Sequence, residues 1–316
     1  MRQILNTIRK HSLLSGVVFL LTAACIFFTV LNGYSQDSFD QLNSLFVLPL
    51  NNSWRLGLSI ITLFTILLLF YNTLKKGQTI RVSLHFLAFL FSLFIAYVPS
   101  ILLNFEGVFA FLFSILSLRV LLQIHNQAEI SHLLFKSAMF AGIATLIYFP
   151  NGAMVLLLFF GAIILRPLSL RNGLNLLIGF LLPLIYLFSA IYLLDLEASY
   201  FYKDFISKNR LVYLTVEVSL LDYTFMGLLV LSLIGAGAVY LKRTNLVVNQ
   251  RNQLTILFMS WAIFSFLMFV KHPIFIIPTG LIAAIFIESF YRSSRLKFLL
   301  EVLLISAYAI MLVDLL

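Results

Sequence analysis

Residues 173–194 read GLNLLIGFLLPLIYLFSAIYLL, a run of 22 positions without one charged side chain. The hydrocarbon core of a bilayer is about 30 Å thick, and a helix rising about 1.5 Å per residue crosses it in about 20 residues. The run is long enough, and its only polar members are Asn175, Ser189 and two tyrosines. It predicts a transmembrane helix.

The rest of the chain agrees. Of 316 residues, 62% are hydrophobic and only 10% charged, with a mean hydropathy of +1.05. A soluble domain of this length carries about a quarter charged residues. So few charges cannot clothe a water-facing surface, so lipid is the expected solvent. Apolar runs bounded by charges and turn residues fall at 12–32, 56–74, 83–104, 107–124, 133–149, 153–165, 173–194, 223–241, 254–270, 274–290 and 298–315. The expectation is all-α: a polytopic transmembrane helical bundle of about eleven spans, forming a single transmembrane domain over residues 1–316. The fifth and sixth runs are short and joined by Pro150-Asn151-Gly152, a turn signal. They read as a thin hairpin or a re-entrant pair, and either choice leaves the other spans' orientation unchanged.

Basic residues set that orientation, because cytoplasmic loops carry the excess of Lys and Arg. With the N-terminus cytoplasmic, 16 of the 21 basic residues fall inside, and nine of the 12 acidic ones outside. The inner side carries a net +13 and the outer side −4. The C-terminus is then extracytoplasmic. The high isoelectric point is thus a topological signal with attraction to anionic headgroups. No nucleic acid partner is implied. The leader through Thr22-Ala23-Ala24-Cys25 faintly resembles a lipoprotein signal, but the apolar run continues through Leu31, so an uncleaved first span is expected. Cys25 is the only cysteine, which excludes an intrachain disulfide.

Two external loops offer room for chemistry, at about 33–54 and 195–222. The first holds Asp37 and Asp40. The second interleaves Lys203, Lys208 and Arg210 with Tyr200, Phe201, Tyr202, Phe205 and Tyr213, a pattern suited to an interfacial helix. If there is catalysis, Asp37 or Asp40 is the candidate base or ion ligand, with Lys203, Lys208 or Arg210 on a phosphate. On the inner side, Arg166-Pro167-Leu168-Ser169-Leu170-Arg171 is a compact basic turn. Its Arg166 and Arg171 guanidinium groups match a lipid phosphate, and equally serve as topology anchors.

His125, Glu129 and His132 share one helical face by spacing. No HExxH-type motif accompanies them, so a solvated helix end is expected and no metal is assigned. Arg119 and Lys136 lie close enough to the inner interface to snorkel. Glu288–Arg292 and Lys297–Glu301 fit helix-surface ion pairs four residues apart. Pro99, Pro183 and Pro278 fall inside predicted spans, where each is expected to kink its helix. No Walker A lysine, GxGxxG, GxSxG or CxxC occurs, and no cofactor is implied.

The stretch from Phe135-Lys136-Ser137-Ala138 through Ile147-Tyr148-Phe149-Pro150, then Leu165-Arg166-Pro167 to Arg171 and Gly179-Phe180-Leu181-Leu182-Pro183, resembles one family. It is a domain-of-unknown-function family of multi-pass inner-membrane proteins from Bacteroidota. The family pattern runs F-D-A-G, an apolar helix ending F-Y-F-P, then L-R-P, a basic turn and a G-x-x-x-P helix. The segment with His272 and Pro278 is similar to that family's penultimate region. Lys136 departs from the pattern's acidic position. The resemblance covers about fifty residues and implies a bacterial cytoplasmic (inner) membrane, with no activity attached.

The functional expectation is a non-catalytic subunit or accessory factor in cell-envelope assembly or secretion, in contact with membrane lipids and other envelope membrane proteins. The alternative is a glycosyltransferase-like enzyme using polyprenyl-linked sugars at the outer face, an analogy of layout alone. A transporter is the third reading; it calls for paired ionisable residues near mid-membrane.

Overall fold

A computed structural model describes residues 51–77, 82–124, 130–165, 169–194, 220–241, 246–269, 273–293 and 297–315. The described residues are all-α, with ten α-helices and three short 3-10 turns. We number the helices α1 (Asn52–Gly77), α2 (Leu84–Ala96), α3 (Phe105–Gln123), α4 (Ser131–Ile147), α5 (Met154–Leu165), α6 (Leu170–Leu193), α7 (Leu220–Leu241), α8 (Val248–Phe269), α9 (Ile276–Ser293) and α10 (Lys297–Leu315). Each apolar run read from residue 56 onward contains one α-helix. The first run, 12–32, lies outside the described residues, as do both external loops apart from their margins. Among the described residues, four helices are long and apolar enough to cross a membrane: Asn52–Lys75, Phe105–Gln123, Leu170–Leu193 and Tyr223–Leu241.

Prolines account for two differences from the predicted spans. The run 83–104 breaks, because α2 stops at Ala96 and Pro99 opens a 3-10 turn, Pro99–Leu103. Pro278 lies in the first turn of α9, where the N–H it lacks would have no intrahelical acceptor, so it needs no kink. Pro183 alone of the three stands deep within a helix.

The described helices fall into two compact units. One contains α1 through Thr73 together with α3, α4, α5 and α6. Its centre is α4. Against α3, Ser117 and Ser137 exchange hydroxyl-to-carbonyl hydrogen bonds of 2.8 Å in both directions, at the middle of an antiparallel pair. Against α6 the packing uses glycine. A Cβ on Gly142 would stand 2.5 Å from the Phe180 carbonyl oxygen, and one on Gly179 would stand 2.6 Å from that of Phe135. Each helix therefore lays backbone directly on a glycine of the other, the small-residue packing by which helices associate in lipid. Ser131 also donates to the Asn172 carboxamide oxygen at 2.8 Å. Contacts 131–172 and 142–180 advance together, so α4 and α6 run parallel. The turn Phe149–Ala153 and α5 return the chain between them, with Gly161 against Leu121 of α3. At about 2.0 Å per 3-10 residue and 1.5 Å per α residue, that return covers about 28 Å.

The second unit contains α2, α7, α8, α9 and α10. Residues Ile274–Glu288 of α9 and its leading turn are buried on every side, which marks α9 as the central helix. Gly280 admits α2: a Cβ there would meet the Phe94 Cβ at 2.5 Å. Gly235 of α7 lies against the Phe286 backbone. Phe264–Phe275 and Phe258–Phe286 ring contacts hold α8 antiparallel to α9. Tyr97 stacks on Phe225, with ring centroids 4.1 Å apart, and Phe89 meets Tyr308.

Candidate functional site

Burying a charge in an apolar bundle is costly, so a carboxylate that is nonetheless buried marks a place with work to do. In the second unit, two such groups lie at the end where α2 begins, α9 finishes and α10 begins. Glu288 is 2% exposed and Glu301 1%.

Glu288 stands on the last turns of α9. Its Oε1 accepts from the Ser83 backbone N–H at 2.8 Å and from the Ser83 hydroxyl at 3.1 Å. Ser83 is the N-cap of α2, with extended backbone, and its own side chain caps nothing. The carboxylate of α9 takes over there, set where the helix dipole of α2 favours negative charge. The same oxygen accepts from Arg292 one turn on, through Nε at 3.1 Å and through Nη2. Arg292 is partly exposed, so its guanidinium bridges the buried carboxylate to the helix end.

Between these residues, Tyr291 donates its hydroxyl to Glu301 Oε1 of α10. The Tyr291 ring stacks on Phe86 of α2, with centroids 5.4 Å apart and planes 28° from parallel. Glu288 and Tyr291 are thus neighbours on one face of α9, and each fastens a different helix. Oε2 of both glutamates lacks a hydrogen-bond partner. The cluster joins three helices.

This corrects the reading of these glutamates as surface ion pairs. Glu288–Arg292 forms, but around a buried carboxylate. Glu301 takes the Tyr291 hydroxyl, and no ion pair with Lys297 occurs among the described residues. The tyrosine three positions after Glu288 was the signal. An apolar run that ends in Glu-Ser-Phe-Tyr-Arg keeps its hydrogen-bonding groups on the core side of the last turn.

The first unit holds a second buried pair. Arg55, in the first turn of α1, and Glu106, in the first turn of α3, approach to 3.6 Å. The adjoining Asn104 side chain caps α3 by accepting from the Gly107 N–H at 2.9 Å. Asn151, at the α4–α5 turn, is fully buried. Among these residues, only the turn at Asn151 had been picked out from the sequence.

Of the residues singled out in the sequence, Asp37, Asp40, Lys203, Lys208, Arg210 and Arg166 lie outside the described residues, as do His125 and Glu129. Arg171 is described: it is exposed in the first turn of α6. Lys136 and His132 are exposed one turn apart on α4, and Arg119 is half-buried on α3. Among the described residues, no group of three or more His, Cys, Asp or Glu is placed to hold a metal ion. The chain matches no family model, no curated protein and no solved structure.

Proposed function

We propose that the chain is a multi-pass integral membrane protein of about eleven spans, with its N-terminus cytoplasmic and its C-terminus extracytoplasmic. We place it in a bacterial inner membrane, as a non-catalytic subunit or accessory factor in envelope assembly or secretion. The observation that carries this reading is how the buried polar groups are used. Glu288 fastens α2 to α9, Tyr291 and Glu301 fasten α9 to α10, and Ser117 and Ser137 fasten α3 to α4. Each contact joins helix to helix, which suits a scaffold.

Helix directions support the topology. Within each unit, consecutive helices packed on one another run antiparallel, and those two apart run parallel, as full crossings require. The 28 Å return from Phe149 to Leu165 suits a hairpin that reaches the outer face. Kinship with the Bacteroidota family belongs to the same proposal. Its support is the sequence resemblance from Phe135 to Pro183 alone.

The test is a pull-down from native membranes with the tagged full chain. Stable co-purification of other envelope membrane proteins supports the scaffold. If the chain emerges alone, and Asp37→Asn with Asp40→Asn alters envelope glycans, the transferase reading replaces it.

A further inference from the structure

A hydroxyl buried in a helix has an ordinary outlet, the carbonyl one turn earlier. Thr145, Ser232 and Ser260 all take it, donating to Ala141, Leu229 and Ile256. Ser265 of α8 and Thr279 of α9 do not. Neither hydroxyl has a hydrogen-bond partner, and neither does the indole N–H of Trp261, one turn before Ser265. All three side chains are buried, Thr279 completely. Polar atoms shut away from water are costly unless something satisfies them.

Ring contacts on either side bring the three to one level of the α8–α9 interface. Phe264 of α8 stacks on Phe275, with centroids 5.9 Å apart, and Phe258 meets Phe286 of α9 at 6.5 Å. Phe258 also stacks on the Trp261 ring, at 6.1 Å. Trp261 and Ser265 are four residues apart, and Phe258 precedes Trp261 by three, so these residues share one edge of α8. On α9, Thr279 stands four residues after Phe275 and seven before Phe286, spacings that keep it on the face carrying both contacts. With the helices antiparallel, Thr279 falls opposite the turn from Trp261 to Ser265.

No Asp, Glu, Lys or Arg occurs from Phe258 to Phe269 or from Ile274 to Ile287, so nothing here is set to hold an ion. One N–H donor and two hydroxyls suit a small neutral molecule that both donates and accepts. Ile274–Glu288 are buried on every side, which selects the smallest molecule of that kind. A buried water makes about three hydrogen bonds, and three groups are on offer.

We infer that Trp261, Ser265 and Thr279 form a buried hydration site. One ordered water accepts from the Trp261 N–H and bridges to the two hydroxyls, joining α8 to α9. The site stands on helix packing, whatever solvent surrounds the bundle.

The test is radiolytic footprinting of the full chain in mild detergent, mixed rapidly into heavy-oxygen water before exposure. Radicals formed from a bound water oxidise the side chain beside it. Trp261 should therefore be oxidised despite its burial, and should take up the heavy isotope more slowly than Trp54, which is 67% exposed. Ser265→Ala with Thr279→Val should abolish oxidation of Trp261 and leave that of Trp54 unchanged. Thr279→Ser keeps a hydroxyl and should keep the oxidation, as should Ser260→Ala, whose hydroxyl already has its carbonyl. A second readout uses Trp54→Phe, which leaves Trp261 as the only indole. Its emission should then shift to the blue when the two hydroxyls are removed. An unoxidised Trp261 in the unaltered chain overturns the inference, whatever the variants do. Oxidation that persists undiminished in a double variant of unchanged melting temperature overturns it as well. A blue shift without any oxidation also overturns it, in favour of a direct bond from the indole to a hydroxyl.

Discussion

The Glu288 carboxylate lies 2.8 Å from the backbone nitrogen of Ser83, a residue 205 positions earlier, and so supplies the start of α2 with the acceptor its own side chain does not. Glu288→Ala should leave that part-buried N–H without its acceptor and cost about 1–2 kcal/mol. Arg292 is then free to reach water, which limits the penalty. Glu288→Gln keeps an oxygen in place and should cost less. Arg292→Met strands a buried carboxylate and should cost the most, about 3 kcal/mol or more. Thermal unfolding in detergent ranks the three. A melting temperature for Glu288→Ala equal to that of the unaltered chain would remove the staple from the account.

Tyr291 separates hydrogen bonding from stacking. Tyr291→Phe keeps the ring on Phe86 but loses the donor to Glu301. It should destabilise by about 1–2 kcal/mol, and Glu301→Gln should be milder, since an amide oxygen still accepts. In a double-mutant cycle the pair should couple by 0.5 kcal/mol or more, as residues in contact commonly do at about 0.5–3 kcal/mol. Strict additivity would mean that hydroxyl and carboxylate do not meet.

The α4–α6 glycines make a sharper test, because the obstacle is backbone. Gly142→Ala and Gly179→Ala each drive a methyl group toward a carbonyl oxygen that cannot rotate away. Each should cost about 1–3 kcal/mol. Gly227 of α7 has nothing within 4 Å of an added Cβ, so Gly227→Ala should be neutral or stabilise by up to about 1 kcal/mol through helix propensity. Protease susceptibility in detergent would report the same order. If the Gly142 and Gly227 variants behave alike, the close approach of α4 and α6 is absent.

How much of this was visible in the sequence varies with the range of the interaction. Helix existence is local, set by long apolar runs such as 173–194, and every run from residue 56 onward contains one α-helix. Helix ends were less legible: Ala96 and Pro99 split a run whose hydropathy does not change. The Glu288 cluster was misjudged because the spacing to Arg292 is the same for a surface pair and a buried one; only Ser83 and Phe86, two hundred residues away, decide between them. Likewise Arg55 and Glu106 each stand immediately before an apolar run, and nothing in either run names the other. The glycines were less legible: Gly179 had entered only through the resembled family's G-x-x-x-P pattern and Gly142 not at all, because only the partner backbone shows where a helix comes close.

The proposed orientation rests on charge placement, and it yields the prediction that reaches furthest along the chain. Arg81, Lys242, Arg243, Arg292, Arg295 and Lys297 all fall beside the inner ends of predicted spans. Alkaline phosphatase folds actively only outside the cytoplasm. Fused after residue 205, in the loop 195–222, it should therefore be active; fused after residue 80 or 244, inactive. A green fluorescent protein reporter should give the reverse pattern. The hairpin supplies the discriminating site. A single cysteine placed at Gly152, in a chain with Cys25→Ser, should react with a membrane-impermeant maleimide applied from outside if the 28 Å return from Phe149 to Leu165 spans the bilayer. No labelling there, with full labelling of a cysteine at residue 205, would make the pair re-entrant and reduce the count to nine spans. Activity of the fusion after residue 244 would invert the α7–α8 connection and overturn the orientation altogether.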